Sequence, residues 1–397
     1  MNDAPAHRSI VAGGTVALVV LAFNLRTAIA AVAPVLGQIQ SRDHLSAAEG
    51  GLLTTVPVIC FGLFALVTPA LIRAAGLDRL LALTLVGLLA GMLVRLAPGP
   101  ATLFAGTTLI GASIGVTNVA LPALVKRDHP TRVAEMTGLY ALCLSAGAAL
   151  AAGVTVPAER AAGVGWAPAL GLWVVPVAVA LVVWGPAFRR RAPVAPSASP
   201  PVRGLWRDRR AWAVTGFMGL QSLSYYATLT WVPTILVHAG IGSGAAGALL
   251  SLSAVASLVT SLGAPLLARW SPRTWAPIVG AVGLCAVAYA GLALDPAGLA
   301  PVWMVALGSG QGACLALALG VIGLRSPTSH HAGHLSTMAQ GTGYLVAAVG
   351  PVGLGALHQL VGGWAVPLGV LGVFLLPQLL AGVLASRPGH VLAAEGR

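Results

Sequence analysis

Long apolar runs alternate with short polar segments along the whole chain. A helix needs about 20 apolar residues to cross the hydrocarbon core of a bilayer, and these runs have that length. The pattern therefore predicts twelve membrane-spanning helices, over residues 10–37, 47–72, 80–97, 101–125, 134–156, 166–187, 211–237, 246–268, 275–294, 299–324, 334–358 and 362–385.

Composition points to the same class of protein. The chain has 397 residues, of which 57% are hydrophobic and 8% charged, and its mean hydropathy is +0.89. Soluble globular proteins carry about 25% charged residues. Helices satisfy their own backbone hydrogen bonds in lipid, and the 50 glycines and 27 prolines suit closely packed or broken membrane helices. We therefore expect an all-α membrane protein.

The net charge of +12 follows the predicted topology. With the N-terminus on the inner side, the outer loops hold only Arg42 and Arg160, and Arg26 and Arg95 lie inside spans. Because loops on the inner side are rich in Lys and Arg, this asymmetry predicts that both termini are cytoplasmic and leaves nothing that indicates nucleic acid. The other 18 of the 22 basic residues fall in inner loops and tails: Arg8, Arg73, Arg79, Lys126, Arg127, Arg132, Arg189, Arg190, Arg191, Arg203, Arg207, Arg209, Arg210, Arg269, Arg273, Arg325, Arg387 and Arg397.

Residues 188–210 are rich in Pro, Ser and Arg and read FRRRAPVAPSASPPVRGLWRDRR. Such a segment is a polar linker and a poor helix. It divides the chain into two predicted six-helix bundles, residues 1–187 and 211–397, which is the plan of transporters built from two parallel repeats. Pro34 and Pro233 hold matching places in the first helix of each half, and aligning them places Arg26 opposite Tyr225. Glycine-rich segments at 111–118 and 308–315 also correspond.

Arg26 stands alone in the middle of the first span. A charge at the centre of a membrane helix costs about 2.5–3.5 kcal/mol on insertion scales. The same run contains no Asp or Glu that could pair with the arginine. We therefore expect Arg26 to face a wet cavity or to meet an anion that comes from outside the protein.

Neutral polar residues recur in other spans. In the seventh span Gln221, Tyr225, Thr228 and Val232 share one helix face, which favours a cavity lining, although polar contact between helices stays open. A hydrogen bond between membrane helices, worth about 0.6 kcal/mol, is equally open for each of the other polar residues. Arg95 either reaches the headgroups or supplies a second charge. The other candidates are Asn118, Tyr140, Gln311, Gln340 and Tyr344.

Several kinds of chemistry are disfavoured. The chain has no GxxxxGK[ST] loop, which argues against ATP-driven pumping. We expect no cofactor, and we expect the four cysteines to be packing residues. The spacing of His330, His331 and His334 could suit a metal, but a solvated loop or helix start is favoured, so we expect no metal site. A carboxylate proton carrier at the membrane centre is disfavoured too, because the ten acids lie in tails, loops or span ends: Asp3, Asp43, Glu49, Asp78, Asp128, Glu135, Glu159, Asp208, Asp295 and Glu395.

Five segments resemble the cyanate and nitroimidazole permease branch of the major facilitator superfamily. They are residues 23–39 (FNLRTAIAAVAPVLGQI), 118–140, 219–233, 308–326 and 338–364. The resemblance implies a twelve-helix, multi-pass carrier in the inner (plasma) membrane of a bacterium, which works by alternating access on small solutes. The positions that match the family are Asn24, Arg26, Asn118, Tyr140, Gln221, Tyr225, Trp231, Gln311, Gln340 and Tyr344.

The loop at residues 71–81 departs from the family pattern. Leu71 and Ile72 stand where an acidic residue would precede Arg73. The charge pair that this loop forms in the superfamily at the inner side is therefore not expected.

The sequence thus predicts a secondary active or facilitative transporter that functions as a monomer. Its expected solute is a small anion or a polar planar molecule, such as a cyanate-like, nitroimidazole-like or small carboxylate compound. Arg26 would supply the charge, Tyr225, Gln221, Asn118 and Gln340 the hydrogen bonds, and Trp231 an outer cover. The main alternative is a multidrug-type exporter of neutral molecules, which predicts a large apolar cavity. A membrane sensor and an enzyme are disfavoured, because neither an added soluble domain nor a catalytic constellation is evident.

Overall fold

The computed structural model describes residues 4–129, 132–163, 165–190 and 204–392. This part of the chain is helical throughout and contains no strand. Its α-helices are α1 (Ala4–Ala30), α2 (Leu36–Asp43), α3 (Ala47–Ala75), α4 (Leu77–Leu96), α5 (Pro100–Asp128), α6 (Val133–Ala162), α7 (Trp166–Gly171), α8 (Val174–Arg190), α9 (Arg209–His238), α10 (Ser243–Trp270), α11 (Ala276–Leu294), α12 (Ala300–Arg325), α13 (Ser329–Ala347), α14 (Val349–Val361) and α15 (Ala365–Ser386).

The predicted spans are present as single helices or as broken pairs. The first span comprises α1 and α2, the sixth α7 and α8, and the eleventh α13 and α14. Within the described residues, eleven segments are long and apolar enough to cross a membrane. The remaining predicted span is α9, a 30-residue helix that buries polar side chains such as Gln221 and Thr228. The predicted all-helical membrane fold is therefore confirmed.

Pro34 accounts for the break in the first span. Proline lacks an N–H and clashes with the carbonyl four residues earlier, and α1 ends at that residue, Ala30. The Val32 N–H donates to Ile29 O, so Ala28 O receives a hydrogen bond of 2.7 Å from Arg95 Nη1 instead. The Arg95 side chain therefore stabilises the broken end of α1.

Helices of each half pack mainly among themselves. In the first half, α1 packs against α6 and α8, and α5 packs against α3 and α4. In the second half, α9 packs against α13 and α15, and α12 packs against α10 and α11. The halves meet along α6 with α10 and along α3 with α13 and α14. Most of the predicted linker at 188–210, namely residues 191–203, lies outside the described residues, so this division stays a prediction.

The two ends of the bundle differ in charge and in closure. We call the end that carries Arg73, Arg127 and Arg325 the basic end. At the opposite end the halves touch: Arg160 Nη2 donates to Ser243 Oγ at 2.8 Å. Toward the middle, Thr55 Oγ1 donates to Ala348 O at 3.0 Å. The halves are thus closed against each other on the side away from the basic end.

Glycines let the backbones of neighbouring helices approach closely. A Cβ atom added to Gly111 would lie 2.6 Å from Pro57 Cα, and one added to Gly115 would lie 2.8 Å from Cys60 O. In the second half, a Cβ atom on Gly310 would lie 2.7 Å from Ala281 O. Small residues drive membrane-helix association by allowing such contact. The close packing that the sequence indicates for these two segments is therefore present.

We expect Gly111→Val to destabilise the fold by about 1–3 kcal/mol, the usual cost of overpacking. The added methyl groups would push α5 away from α3. Gly280→Val is the matched control, because Gly280 is exposed on α11 and a Cβ there meets nothing within 4 Å. Thermal unfolding followed by circular dichroism measures the difference. Equal melting temperatures for the two variants would contradict the role of this contact.

Candidate functional site

A cavity of about 420 Å³ lies between the two halves. Its walls extend toward the basic end, since Pro122 lies near the end of α5 and Ser336 near the start of α13. Seven helices contribute side chains to it. The lining residues are Arg26, Asn118, Leu121, Pro122, Tyr140, Leu142, Leu144, Ser145, Ala148, Met218, Tyr225, Ser257, Leu258, Ser261, Leu262, Leu315, Ala316, Leu319, Ser336, Gln340 and Tyr344.

Arg26 projects from α1 into this cavity and is half-buried. Its Nη1 donates a 3.2 Å hydrogen bond to Tyr226 Oη. The guanidinium carbon lies 5.3 Å from the centre of the Tyr225 ring and 5.7 Å from that of Tyr226. Within the part of the chain that the structure describes, Arg26 forms no ion pair with a carboxylate. Its positive charge therefore remains available to a solute in the cavity.

An aromatic cluster fixes the position of the Arg26 guanidinium. The Tyr225 and Tyr226 rings meet edge to face with centres 5.1 Å apart. Phe61 packs against Tyr226 at 6.1 Å and against Tyr344 at 5.6 Å. Aromatic faces attract cations, and the rings of Phe61 and Tyr226 are almost completely buried. The arginine is thus held by interactions that leave its charge uncompensated.

The structure brings six of the predicted site residues together around one cavity. They come from five different helices in both halves of the chain. Gln340 Nε2 donates to Ser336 Oγ at 2.7 Å, which ties two lining residues of α13 together. The six residues are Arg26, Asn118, Tyr140, Tyr225, Gln340 and Tyr344.

Gln311 lies beside the main cavity. Its Nε2 donates to Thr228 Oγ1 at 2.8 Å. It lines a smaller pocket of about 50 Å³ that shares Ser145, Tyr225 and Ser257 with the main cavity. Gln311 therefore lies in a side pocket that adjoins the cavity of Arg26.

Asn24 and Gln221 do not line the cavity, contrary to the prediction. Asn24 is fully buried, and its Nδ2 donates to Val20 O at 2.7 Å and to Pro176 O at 3.1 Å. Gln221 Nε2 donates within its own helix, to Ser222 Oγ at 2.7 Å. Both amides serve packing, which is the alternative that the sequence left open.

Trp231 does not cover the main cavity. It is buried, and its Nε1 donates to Pro351 O at 2.7 Å. Its ring lies 5.2 Å from that of Trp364, and both rings line a separate cavity of about 320 Å³ at the opposite end. The predicted outer cover therefore belongs to a different part of the molecule.

Arg95 does not supply a second charge to the cavity. The side chain is only 2% exposed and does not extend from the surface of the bundle. Its Nη1 bonds to Ala28 O, whereas its Nε and Nη2 find no partner among the described residues. The structure thus assigns it to the break in the first span.

Sequence reasoning missed one hydrogen-bond partner of Arg26 and several residues that line the cavity. Tyr226, the hydrogen-bond partner of Arg26, follows Tyr225 directly, and helical periodicity placed only Tyr225 on the cavity face. Ser257 and Ser261 are four residues apart on α10, and this spacing was a usable signal for one polar face. Ser336 lies four residues before Gln340, which is the same spacing signal, whereas Ser145 gave none. Serine oxygens therefore form a part of the polar lining that was not predicted.

The basic end contains a charge pair that the sequence did not lead us to expect. Arg127 donates from Nη1 and Nη2 to the Asp78 carboxylate at 2.7 and 2.8 Å, and from Nε to Asp128 at 2.8 Å. The acid is Asp78, which precedes Arg79, and not a residue before Arg73. The loop at 71–81 therefore does form a charge pair.

No metal centre is evident in the described ranges. They hold no group of three His, Cys, Asp or Glu side chains that could bind an ion. The side chain of His330, a member of the histidine cluster in the sequence, lies outside them. Cys60, Cys143, Cys285 and Cys314 are free and buried.

Comparison with known proteins identifies the family. A model of the Major Facilitator Superfamily matches residues 16–351. The 2-nitroimidazole transporter of Escherichia coli (strain K12) is 38% identical over 378 residues, which cover 94% of this chain and 95% of that protein. The cyanate transport protein CynX of the same organism is 28% identical over 349 residues, covering 87% of this chain and 90% of that one.

The fold is also similar to that of solved transporters. A crystal structure of a bacterial homologue of the human lysosomal transporter Spinster, inward-facing and unoccupied, matches with a TM-score of 0.69 at 17% identity. The match covers 96% of this chain and 97% of that one. The family model and these relatives span nearly the whole chain. The chain therefore belongs to the Major Facilitator Superfamily, as a small-solute transporter of the branch that contains the 2-nitroimidazole and cyanate transporters.

Proposed function

We propose that this transporter carries a small anion or a polar planar solute that binds beside Arg26. The observation that supports this is the guanidinium group itself, which faces a cavity without a carboxylate partner in the described chain. An unpaired charge is costly inside a membrane protein. A bound anion would compensate it through a charge-assisted hydrogen bond, which is about twice as strong as a neutral one.

The two walls of the cavity differ in chemistry, and this supports a planar solute. One wall carries Arg26 and the neutral polar groups Asn118, Tyr140, Gln340 and Tyr344. The wall that α10 and α12 form is mainly aliphatic, with the hydroxyls of Ser257 and Ser261 among its side chains. A flat molecule could place its polar or negative edge on Arg26 and its apolar face on the leucines of this second wall, which are Leu258, Leu262, Leu315 and Leu319.

The relatives support the same solute class. One is named for 2-nitroimidazole and the other for cyanate. A nitroimidazole is flat and carries its negative partial charge on the nitro oxygens, while cyanate is a small linear anion. Both are small and accept hydrogen bonds, which the Arg26 guanidinium can donate, and the flat ring of the nitroimidazole also suits the aliphatic wall.

Alternating access fits the difference between the ends of the bundle. The halves are closed at the opposite end, where Arg160 bonds to Ser243, whereas the cavity extends toward the basic end. Because basic loops stay on the cytoplasmic side, this arrangement supports an inward-facing state with both termini inside. Rocking of the halves around Arg26 would then open the other side.

Export of neutral drugs is the second candidate, and the aliphatic wall favours it. A cavity of about 420 Å³ is large for cyanate alone. In that case Arg26 would be a structural residue, held by its tyrosine contacts. Binding measurements on an Arg26→Gln variant distinguish the two functions.

We expect Arg26→Gln to abolish the binding of anionic and nitro-bearing probes without unfolding the protein. A ligand at 100 times its Kd raises stability by about 2.7 kcal/mol, so thermal unfolding with cyanate, 2-nitroimidazole and 4-hydroxybenzoate reports binding. Arg26→Lys, which keeps the charge, should retain part of the shift. Arg160→Gln, at the opposite end, should behave like the wild type.

An Arg26→Gln variant that binds these probes as well as the wild type would refute the anion site. Shifts that occur only with apolar neutral compounds and persist in the variant would instead favour the second candidate, in which the cavity binds neutral compounds.

Tyr226→Phe should weaken binding by about tenfold. The change removes one hydrogen bond to a charged group, worth about 1.5–3 kcal/mol, but keeps the ring face beside the guanidinium. The purified variant should give a weaker Kd by calorimetry with whichever probe binds the wild type. Tyr289→Phe is the matched control, because Tyr289 is buried in the second half and does not line the cavity. Equal weakening in both variants would show that the effect is one of general packing.

A further inference from the structure

The cavity of about 320 Å³ at the opposite end is lined by both halves of the chain. Its titratable lining residues are His238, the last residue of α9, and His358, on α14. Both rings pack around Trp364: His358 stacks on it with centres 3.9 Å apart, and His238 lies at 6.3 Å. The other lining residues are Gly37, Gln40, Ser41, Leu45, Ala47, Trp231 and Thr234.

We propose that His238 is a proton-binding site whose protonation releases Trp364 and opens this end of the transporter. The proton would then be the coupling ion. This inference rests on the proposed function, in which the two halves alternate around Arg26.

The hydrogen bond between Trp364 and His238 dictates the protonation state of the histidine. Trp364 Nε1 lies 2.9 Å from His238 Nδ1. An indole Nε1–H can only donate, so His238 Nδ1 must carry a lone pair and its ring must be neutral. Protonation places a hydrogen on Nδ1, where it faces the indole hydrogen, and the bond is lost. The closed arrangement therefore requires the neutral form of His238.

His358 forms a contact of the other kind. Its Nδ1 lies 3.2 Å from Gly363 O. A carbonyl oxygen can only accept, so His358 Nδ1 carries the hydrogen whether the ring is neutral or charged. The two imidazole rings are 5.9 Å apart, and a charge on His358 would repel a second charge on His238. His238 is thus the residue whose bonding changes with pH.

Other charged groups near this end do not face the cavity. The Arg42 guanidinium lies over the Trp166 ring at 5.7 Å, and Arg160 bonds to Ser243. On α3, the Glu49 carboxylate accepts from the Ser46 N–H at 2.8 Å. Asp43, the last residue of α2, and His44, which follows it, are absent from the lining. So is Glu159 of α6, whose carboxylate accepts from Gln38 Nε2 at 3.0 Å.

A continuous set of contacts links Trp364 to the closure between the halves. The Trp364 ring packs on Trp231, which donates to Pro351 O of α14. A Cβ atom on Gly51 of α3 would lie 2.7 Å from the same Pro351 oxygen. Release of Trp364 therefore loosens Trp231 and α14 where they press on the first half.

The direction of the effect follows from linkage. Because the closed end requires neutral His238, acid on that side favours opening, and the open state binds the proton more tightly by reciprocity. Loss of one hydrogen bond changes the ratio of open to closed states about two- to tenfold. With this end facing outward, external acid would load proton and solute together.

The first test is a pH titration of tryptophan fluorescence on the solute-free, full-length protein in lipid nanodiscs. The contribution of Trp364 to the emission is the difference between the wild type and Trp364→Phe. This contribution should change with pH, with a midpoint between about pH 5 and 7, near the usual pKa of histidine. His238→Asn should abolish the transition, because its Oδ1 can accept from Trp364 but does not titrate. His44→Asn is the control, since His44 has a left-handed backbone that Asn tolerates. A transition that persists in His238→Asn, or none in the wild type, overturns the proposal.

Spin labels give a second test that does not depend on the folding of the His238→Asn variant. Ala161→Cys and Val366→Cys place labels on exposed positions of opposite halves at this end. The long-distance population should grow about two- to tenfold between pH 8 and pH 5 in an otherwise wild-type chain. An unchanged distance distribution overturns the proposal. The Arg26→Gln variant should retain both pH responses, so failure of the solute site and failure of the proton site are distinguishable.

Discussion

The uncompensated charge of Arg26 is the constraint around which the rest of the structure is arranged. A guanidinium inside a membrane protein needs partners, and a carboxylate would satisfy it permanently. Here Tyr225 and Tyr226 hold the group through their ring faces and one hydroxyl. Phe61 packs behind Tyr226 and Tyr344. The arginine is therefore positioned without being neutralised, and its charge stays directed at the cavity.

Arg95 shows the contrasting outcome for the same residue type in the same half. Pro34 breaks the first span, and the break frees the carbonyl of Ala28, which Arg95 binds from α4. That arginine is almost completely buried and does not line the cavity that Arg26 faces. Close glycine contacts such as that of Gly111 with Pro57 keep α5 against α3. Together these interactions make the first half a firm support for the break next to Arg26.

The two ends of the bundle use different chemistry. At the basic end, Arg127 and Asp78 form a charge pair within the first half, which leaves the cavity between the halves accessible. At the opposite end, Arg160 bonds to Ser243 across the halves, and within the second half Trp364 bonds to His238 beside that closure. Ion pairs persist over a wide pH range, whereas a histidine that must stay neutral loses its bond as the pH falls through about 7 to 5. The closed end is thus the one that solution conditions can alter.

The amino-acid sequence by itself determined the helical membrane fold and the placement of the spans, and it singled out Arg26 as an isolated charge within a span. Those features depend on local hydropathy and on a charge without a neighbouring acid, and both can be read along one helix. Only the tertiary structure decided that Asn118 lines the cavity while Asn24 bridges α1 and α8, and that Trp231 belongs to the opposite end. The periodicity of one helix shows which residues share a face, but it does not show which neighbouring helix packs against that face. Proline breaks and glycine contacts between distant segments fix that choice, because they set how helices rotate and approach one another.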